Sequence, residues 1–275
     1  MKFRSIFRKI PILKRLYASF AYRALIVFKK NFIMCKFRNV YLYLNINDPI
    51  DRSVFLFDFY EDDQIKYLCN IFEKNKIDYF FDIGSNSGIY TLIIAKNFKR
   101  VKIFSFEPIK NTFLKLKKNI SLNPKLKNIK KYNYGLSNKD SKLKMKTLIK
   151  NGFIQSGGFS IIKNTDILKN LHTEFALFKR ADNKFKFLKK TICLKIDVEG
   201  HEIFTLDGLA GIFKNNKIIL QIEIFPKNYI KVNKKLTYFG FKKINQISAD
   251  HYFIKNWLSC FCRTFLRAIL YFIPV

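Results

Sequence analysis

A glycine-containing turn at residues 84–88 carries the residue types that a small-ligand site needs. The apolar run Tyr79–Ile83 leads into Gly84, Gly88 closes the turn, and an apolar stretch begins at Ile89. Glycine lets a backbone approach a ligand without a Cβ clash, and the free N–H groups at the start of a helix can hold a carboxylate or a phosphate. A dinucleotide fingerprint would have its third glycine at Ile89, so the spacing argues against NAD.

Acidic side chains stand at the ends of predicted strands in a chain that is otherwise strongly basic. The chain has 52 lysine and arginine residues against 20 aspartate and glutamate residues. The strand-end acids are Asp82, Glu107, Asp197 and Glu223. In open α/β sheets the ligand site lies beyond the carboxyl ends of the strands. We therefore expect a carboxylate-lined cleft that suits a cation such as a sulfonium, with Glu107 accepting hydrogen bonds from both hydroxyls of a ribose.

A second acidic segment, at residues 194–202, follows a later predicted strand. Lys195 and Asp197 lie on the same face of that strand, and Asp197 ends it. Glu199 and Glu202 stand at the start of the next predicted helix, where the helix dipole favours carboxylates. Catalysis and helix capping are therefore alternative interpretations of these two glutamates.

The pattern around these residues alternates between strands and helices. Strands are predicted at residues 79–83, 101–106, 129–134, 192–196 and 218–225. Helices are predicted at residues 89–95, between 111 and 123, and at 201–213. Such alternation predicts a parallel sheet with helices on both faces. Residues 151–178 interrupt it, and we interpret them as an insertion on the acceptor side.

The two ends of the chain have a different, basic and amphipathic pattern. We divide the chain into a helical extension at 1–49, a catalytic domain at 50–254 and a C-terminal amphipathic helix at 255–275. Either terminal segment can lie on an anionic membrane surface or pack on the core.

Composition limits the partners and the cellular location. The formal net charge of +32 is typical of a polyanion-binding protein, but the lysines are spread along the whole chain, and an AT-rich genome would produce the same bias. We therefore predict no nucleic-acid partner. The five cysteines lack metal-ligand spacing, and no secretory signal is visible. We predict a cytoplasmic protein, with peripheral contact to the inner face of the membrane as an alternative.

The motifs together resemble one family. The segments D-I-G-S-N-S-G-I-Y, S-F-E-P, L-K-I-D-V-E-G-H-E and L-Q-I-E-I-F, in this order and spacing, resemble the FkbM family of methyltransferases. The resemblance runs from about residue 58 to residue 225, with a weaker tail to about residue 254. It implies a class I methyltransferase fold with a Rossmann-like sheet and S-adenosylmethionine as cofactor. It also implies O-methylation, commonly of a sugar hydroxyl in a glycan, a lipid or a natural product.

The resemblance also implies roles for individual residues. It places Asp82, Gly84, Asn86 and Gly88 on the methionine part of the donor, together with Ser85, where alanine is usual. It places Glu107 on the ribose. Asp197, Glu199 and Glu202 match the acidic signature near the point of methyl transfer.

From the chemistry of an acceptor hydroxyl we nominate Asp197 as general base or acceptor anchor, with Glu199 as the alternative base. Lys195, Glu202 and Glu223 are expected on the acceptor side. His201 has a suitable intrinsic pKa but follows a turn. A Mg²⁺ ion between Asp197 and Glu223 is conceivable, yet no dedicated ligand cluster is present, so we predict no metal.

Other functions remain open at this stage. An RNA methyltransferase is the first alternative, although the Asn/Asp-Pro-Pro-aromatic motif of base amino methylation is missing, because Val198 follows Asp197. A non-catalytic, membrane-associated protein with a degenerate methyltransferase fold is the second, and the intact glycine turn argues against it. A nicotinamide-dependent oxidoreductase is the third.

Overall fold

The computed structural model describes residues 31–150, 153–154, 157–162 and 171–256, together with the single positions Leu16 and Phe20. In chain order its elements are β1 (Phe32–Phe37), β2 (Val40–Asn45), α1 (Pro49–Phe57), α2 (Asp62–Lys74), β3 (Tyr79–Ile83), α3 (Ile89–Asn97), β4 (Lys102–Phe106), α4 (Lys110–Ser121), β5 (Ile129–Tyr132), β6 (Gly135–Ser137), β7 (Ser141–Lys150), β8 (Phe153–Ile154), β9 (Ser160–Ile161), β10 (Leu171–Arg180), α5 (Ala181–Lys184), β11 (Thr191–Ile196), α6 (Glu202–Gly208), α7 (Ala210–Lys214), β12 (Lys217–Glu223), a 3-10 turn (Pro226–Asn228), α8 (Tyr229–Tyr238), β13 (Lys242–Ile247) and β14 (Asp250–Lys255).

The centre of the fold is a seven-stranded sheet in the order β13-β14-β12-β11-β3-β4-β5. The five strands from β12 to β5 in this order run parallel, while β14 is antiparallel to β12 and β13 is antiparallel to β14. The winding direction reverses between β3 and β11, which is where open α/β sheets bind ligands. The predicted class I methyltransferase fold is thus confirmed.

Apolar cores lie on both faces of this sheet, as the continuous apolar strands require. On one face, helices α2 and α3 pack on Phe80, Ile103 and Cys193. On the other, helices α6, α7 and α8 pack on Phe81 and Leu194. Helix α3 is buried at every position from its first residue to Ala95, because it lies between the sheet and the N-terminal hairpin.

That hairpin corrects the predicted helical extension at 1–49. Strands β1 and β2 pair antiparallel, so residues 32–45 are strand and not helix. Val40, Leu42 and Leu44 are buried in the core, while the residues between them face outward. This alternation has the two-residue period of a strand. In the sequence it is short and follows a longer basic stretch with helical spacing, which led to the prediction of a helix. The earlier residues, apart from Leu16 and Phe20, lie outside the described part of the chain.

A second sheet follows β5 and begins before the predicted insertion at 151–178. Its strands are ordered β6-β10-β7-β8, and β9 also pairs with β7. This sheet has a small core of its own, formed by Ile109, Met145, Phe159, Ala176 and Phe178.

The described chain ends just after β14. Within these residues no helix is both long and apolar enough to cross a bilayer. Lys255, the predicted first residue of a C-terminal helix, instead ends β14, and its buried Nζ donates to the carbonyl of Phe213 at 2.8 Å. The rest of the predicted helix, from residue 257 onward, lies outside the described residues.

Candidate active site

The glycine turn between β3 and α3 is held against two neighbouring strands. Gly84 has a φ of +81°, and a Cβ added there would lie 1.8 Å from the carbonyl oxygen of Asp197. The amides of Gly84 and Ser85 both donate to the carbonyl of Phe106 at 3.0 Å. Gly88 has a φ of +86°, and a Cβ there would lie 2.4 Å from Leu116. A side chain at Gly84 would therefore displace backbone, whereas at Gly88 the positive φ is the stronger restriction, because the tip of the Leu116 side chain can move.

Asp82 ties the end of β3 to the first turn of α3. Its Oδ2 accepts hydrogen bonds from the amide of Thr91 at 3.0 Å and from the Thr91 hydroxyl at 2.6 Å. The Thr91 hydroxyl in turn contacts Ser105 of β4. Burial raises the pKa of Asp82 above its usual value. Asp82 lines the pocket described below, and its bonds to Thr91 orient the turn.

Glu107 follows β4 and faces the turn. It is 5% exposed, and its two carboxylate oxygens accept from the amides of Asn86 and Ile109, each at 2.9 Å. These bonds leave lone pairs on both oxygens for the hydroxyls of a ligand. Burial raises the pKa of Glu107 to about 8. The side-chain oxygen of Asn86 is buried without a hydrogen-bond partner, so a ligand that donates a hydrogen bond would fit there.

One pocket connects all these groups. It has a volume of about 230 Å³ and lies beyond the carboxyl ends of β3, β4, β11 and β12. The turn and Glu107 form one end of it. Asp197, Glu199 and Glu223 contribute to its lining, and residues 157–159 of the second sheet contribute another part. The structure thus brings the predicted donor-side residues except Gly88, and the predicted acceptor-side residues except Glu202, into a single cavity.

Lys195 and Asp197 form an ion pair at the end of β11, in which the lysine is buried and the side chain of the aspartate is 25% exposed. Lys195 is 3% exposed, and its Nζ lies 2.9 Å from Asp197 Oδ2 and 4.6 Å from the centre of the Tyr90 ring. Burial alone would raise the pKa of Asp197, but the Lys195 ammonium holds it below its usual value. Asp197 is therefore ionised at neutral pH.

Glu223 shares a hydrogen bond with Asp197 but is protonated where Asp197 is ionised. Burial first, and the charge of Asp197 second, raise the pKa of Glu223 to about 9. Glu223 is therefore protonated at neutral pH and donates to the Asp197 carboxylate. The shared proton of this hydrogen bond is sufficient to hold the two carboxyl groups close together.

Glu199 stands in a strained backbone position, with a φ of +51°. Burial and the charge of Asp197 raise the pKa of Glu199 to about 7, while the amide of Gly158 donates to its carboxylate. The pKa of Glu199 therefore lies near neutral pH, as a general base requires.

His201 and Glu202 occupy less reactive positions. His201 Nε2 lies 2.9 Å from the Ser137 hydroxyl, and burial lowers the pKa of His201 to about 4, so the ring is neutral. Glu202 accepts from the amide of Gly200 at 2.7 Å and does not line the pocket within the described residues. The structure therefore favours helix capping for Glu202 over the predicted acceptor-side role.

One wall of the pocket, which the pattern of strand ends does not predict, comes from the residues just before α2. Tyr60 and Glu61 line it, and Glu61 Oε2 accepts from the Tyr90 hydroxyl at 2.7 Å. Burial raises the pKa of Glu61, while the nearby Lys195 lowers it. Neither residue follows a strand, so strand-end reasoning could not find them. The weak signal is a pair of polar residues before an amphipathic helix.

Comparison with known proteins gives the following matches. The family model described as "Methyltransferase FkbM domain" matches residues 82–259. Hexuronic acid methyltransferase AglP of Haloferax volcanii is 26% identical over 177 residues, which cover 62% of this chain and 67% of that protein.

Two solved structures overlap the chain at low identity. Methyltransferase FkbM from Methylobacillus flagellatus is 12% identical, with a TM-score of 0.43, over 65% of this chain and 43% of that one. TYW2 of M. jannaschii in complex with AdoMet is 11% identical, with a TM-score of 0.43, over 82% of this chain and 84% of that one.

Proposed function

We propose that this chain, which belongs to the FkbM methyltransferase family, moves a methyl group from S-adenosylmethionine to a hydroxyl of a sugar, free or lipid-linked. The family and the fold point to this methyl donor. The single observation that carries the proposal is the pocket itself, because it joins the glycine turn and Glu107 to the acidic end of β11.

The residues at the turn fit the donor. Glu107 has lone pairs for the two ribose hydroxyls, and the buried Asn86 oxygen can accept from the ammonium of the methionine part. The amides at the start of α3 suit its carboxylate. When bound, the donor supplies an electrophilic methyl group on a positively charged sulfur.

The acceptor end of the pocket has an anchor and a base. Asp197 is held ionised and in place by Lys195 and Glu223, so it can accept a hydrogen bond from the acceptor hydroxyl and fix its direction. Glu199, with a pKa of about 7, can take the proton of that hydroxyl. Positioning supplies most of the rate gain, and a positioned base adds about 10²–10⁴-fold.

Two observations support a sugar as the acceptor. The relative AglP, 26% identical, is named for methylation of a hexuronic acid, which supports a sugar ring as the acceptor of this chain but not the carboxylate of that sugar. Within this chain, the aromatic ring of Phe159 lies in the pocket lining, on the side that the second sheet provides. An aromatic face there can pack against the apolar face of a sugar ring.

The proposal is tested first at the donor site, by calorimetric titration with S-adenosylhomocysteine. We expect micromolar binding by the wild type and its loss in Glu107→Ala. Glu73→Ala, a change of the same kind at an exposed position of α2 outside the pocket, is the matched control and should bind normally. A folded wild type that does not bind would refute the proposal.

A further inference from the structure

The acceptor end of the pocket has a charge pattern that selects the class of sugar. We infer that the acceptor is a neutral or amine-bearing sugar and that sugars with a carboxylate near the reacting hydroxyl are rejected. This inference rests on the proposed function, since it concerns the same pocket.

The lining of the pocket reverses the balance of acidic and basic side chains that the chain has as a whole. Overall, basic residues outnumber acidic ones by 52 to 20. Among the described residues that line the pocket, a single lysine stands against the carboxyl groups of Glu61, Asp82, Glu107, Asp197, Glu199 and Glu223. Asp82 and Glu107 belong to the donor end. The other four carboxyl groups surround the space that remains for the acceptor.

The one lysine of this lining is already engaged. Lys195 Nζ is paired with Asp197 at 2.9 Å and lies against the Tyr90 ring, whose hydroxyl bonds to Glu61. Its side chain is almost fully buried, so it cannot turn toward a substrate without breaking the ion pair. A substrate carboxylate would therefore find no cationic partner there.

His201 does not change this balance. Its ring is held by Ser137 and packed against Phe178 and Phe204, with ring centroids 5.3 Å and 4.9 Å away. Burial in this apolar setting keeps the imidazole neutral at physiological pH. Lys195 therefore supplies the only positive charge among the described residues of the acceptor end, where Asp197 is ionised, Glu199 is partly ionised and Glu223 is protonated at neutral pH.

The carboxyl groups themselves show how poorly this space accepts further negative charge. Glu199 and Glu223 both hold their protons to higher pH than usual because of burial and because of the charge on Asp197. A bound carboxylate would meet the same repulsion. A neutral sugar avoids it, and an ammonium group would relieve it.

The experiment compares hexosides that differ only in charge. The full-length protein is given S-adenosylmethionine and the methyl glycosides of glucose, glucosamine and glucuronic acid, together with the galactose and mannose series. Transfer is measured by mass spectrometry. Like charges placed together cost enough for kcat/KM on the uronates to fall about 100-fold below that on the neutral sugars. Equal or better use of the uronates would overturn the inference.

A variant isolates the electrostatic cause. Glu61→Gln keeps an acceptor for the Tyr90 hydroxyl and removes a carboxylate that faces the pocket. It should raise the ratio of uronate to neutral-sugar turnover about tenfold, whatever its absolute rate. Glu73→Gln, on the exposed face of the same helix, should leave the ratio unchanged. An unchanged ratio in Glu61→Gln would refute the electrostatic cause.

A binding measurement keeps the two proposals separable. Saturation-transfer NMR on the complex with S-adenosylhomocysteine reports sugar binding even where no methyl is transferred. Binding of the glucuronide as strong as that of the glucoside overturns the inference, and so does binding of no sugar at all. Absence of S-adenosylhomocysteine binding overturns the proposed function instead.

Discussion

At the scale of single residues, burial divides the carboxyl groups of the pocket into ionised and protonated ones. Lys195 keeps Asp197 ionised, whereas Glu223 and Glu107 hold protons at neutral pH because burial raises their pKa values to about 9 and about 8. Each group therefore has a defined task before any ligand arrives. Asp197 accepts, Glu223 donates to it, and Glu107 can lose a proton when a better partner binds.

Donor binding is expected to release a proton through Glu107. In the free protein its pKa is about 8, so at pH 7 the carboxyl group is mostly protonated. Two ribose hydroxyls that donate to it favour the ionised form and lower the pKa. Calorimetric titration with S-adenosylhomocysteine at pH 7 in phosphate and in Tris, which differ in ionisation enthalpy, should show release of close to one proton. Identical heats in the two buffers would contradict this role of Glu107.

Methyl transfer is expected to require an ionised Glu199. As the pH rises through its pKa of about 7, the carboxyl group loses its proton and kcat/KM, which reports groups of the free enzyme, should increase. Glu199→Gln should lower kcat roughly 10²–10⁴-fold and flatten this limb of the pH profile. The control is Glu73→Gln, at an exposed position of α2 outside the pocket lining, which should keep the profile. Persistence of the limb in Glu199→Gln would exclude Glu199 as the base.

At the scale of elements, the sequence predicts what is local and misses what depends on distant partners. Strand β3 and helix α3 agree with the prediction because their apolar runs are bounded by the glycine turn. The hairpin β1–β2 was missed because its five-residue alternation follows a longer basic stretch with helical spacing. Strand β10 was missed because the turn signals after β7, Asn151-Gly152 and Gly157-Gly158, lead into the short strands β8 and β9, while the partner of β7 begins only at Leu171.

The donor turn is expected to be intolerant of any side chain at Gly84. Alanine there combines an unfavourable φ with a Cβ 1.8 Å from the Asp197 carbonyl oxygen, so β11 or the turn must move. We expect a loss of about 1–3 kcal/mol in the free energy of unfolding and at least tenfold weaker S-adenosylhomocysteine binding. Gly240→Ala is the matched control, since Gly240 has a similar φ of +84° and only a 4.0 Å neighbour. Equal effects of the two substitutions on binding would contradict the argument.

The N-terminal hairpin is expected to support the turn through Asn119 of α4. Its side-chain oxygen accepts from the Tyr43 amide at 2.7 Å, and its amide nitrogen donates to the Ser87 carbonyl at 2.8 Å. Asn119→Ala leaves both groups unpaired in a fully buried place, which should cost about 1–3 kcal/mol in chemical denaturation. Ser121→Ala, on the exposed end of the same helix, should cost far less. A difference below about 0.5 kcal/mol between the two variants would refute the coupling.

At the scale of the whole molecule, a strongly basic chain encloses an acidic pocket. The +32 charge does not by itself identify a partner, because lysines occur along the whole sequence. The carboxylates at the strand ends could be predicted from the sequence, because acidic residues are rare in this basic chain and these four lie at the ends of apolar strands. Glu61 could not, because its place in the pocket depends on how α2 packs beside β11.

The amphipathic terminal segments remain a prediction about the whole molecule, and vesicles can test it. We expect the full chain to sediment with vesicles that contain phosphatidylglycerol and to be released by 0.5 M salt, because basic segments are held partly by charge. The double variant Phe261→Ser/Phe265→Ser keeps the charge and removes two apolar side chains from the predicted C-terminal helix. The fraction of protein that sediments with the vesicles should therefore fall at least tenfold. If the double variant sediments as well as the wild type, charge alone explains the attraction.

The second sheet has a consequence for how such an enzyme can change over generations. Its strands are packed on their own small core of Met145, Ala176 and Phe178, and they line the cavity through strand residues such as Leu136 and Ile161 as well as through the stretch 157–159. The glycine turn, by contrast, is locked into the main sheet. Mutations in the second sheet can therefore change which compound is methylated, while the glycine turn and the strands that hold the methyl donor stay the same. Exchange of residues 135–180, which carry the second sheet, between relatives should transfer the substrate preference without loss of affinity for the methyl donor.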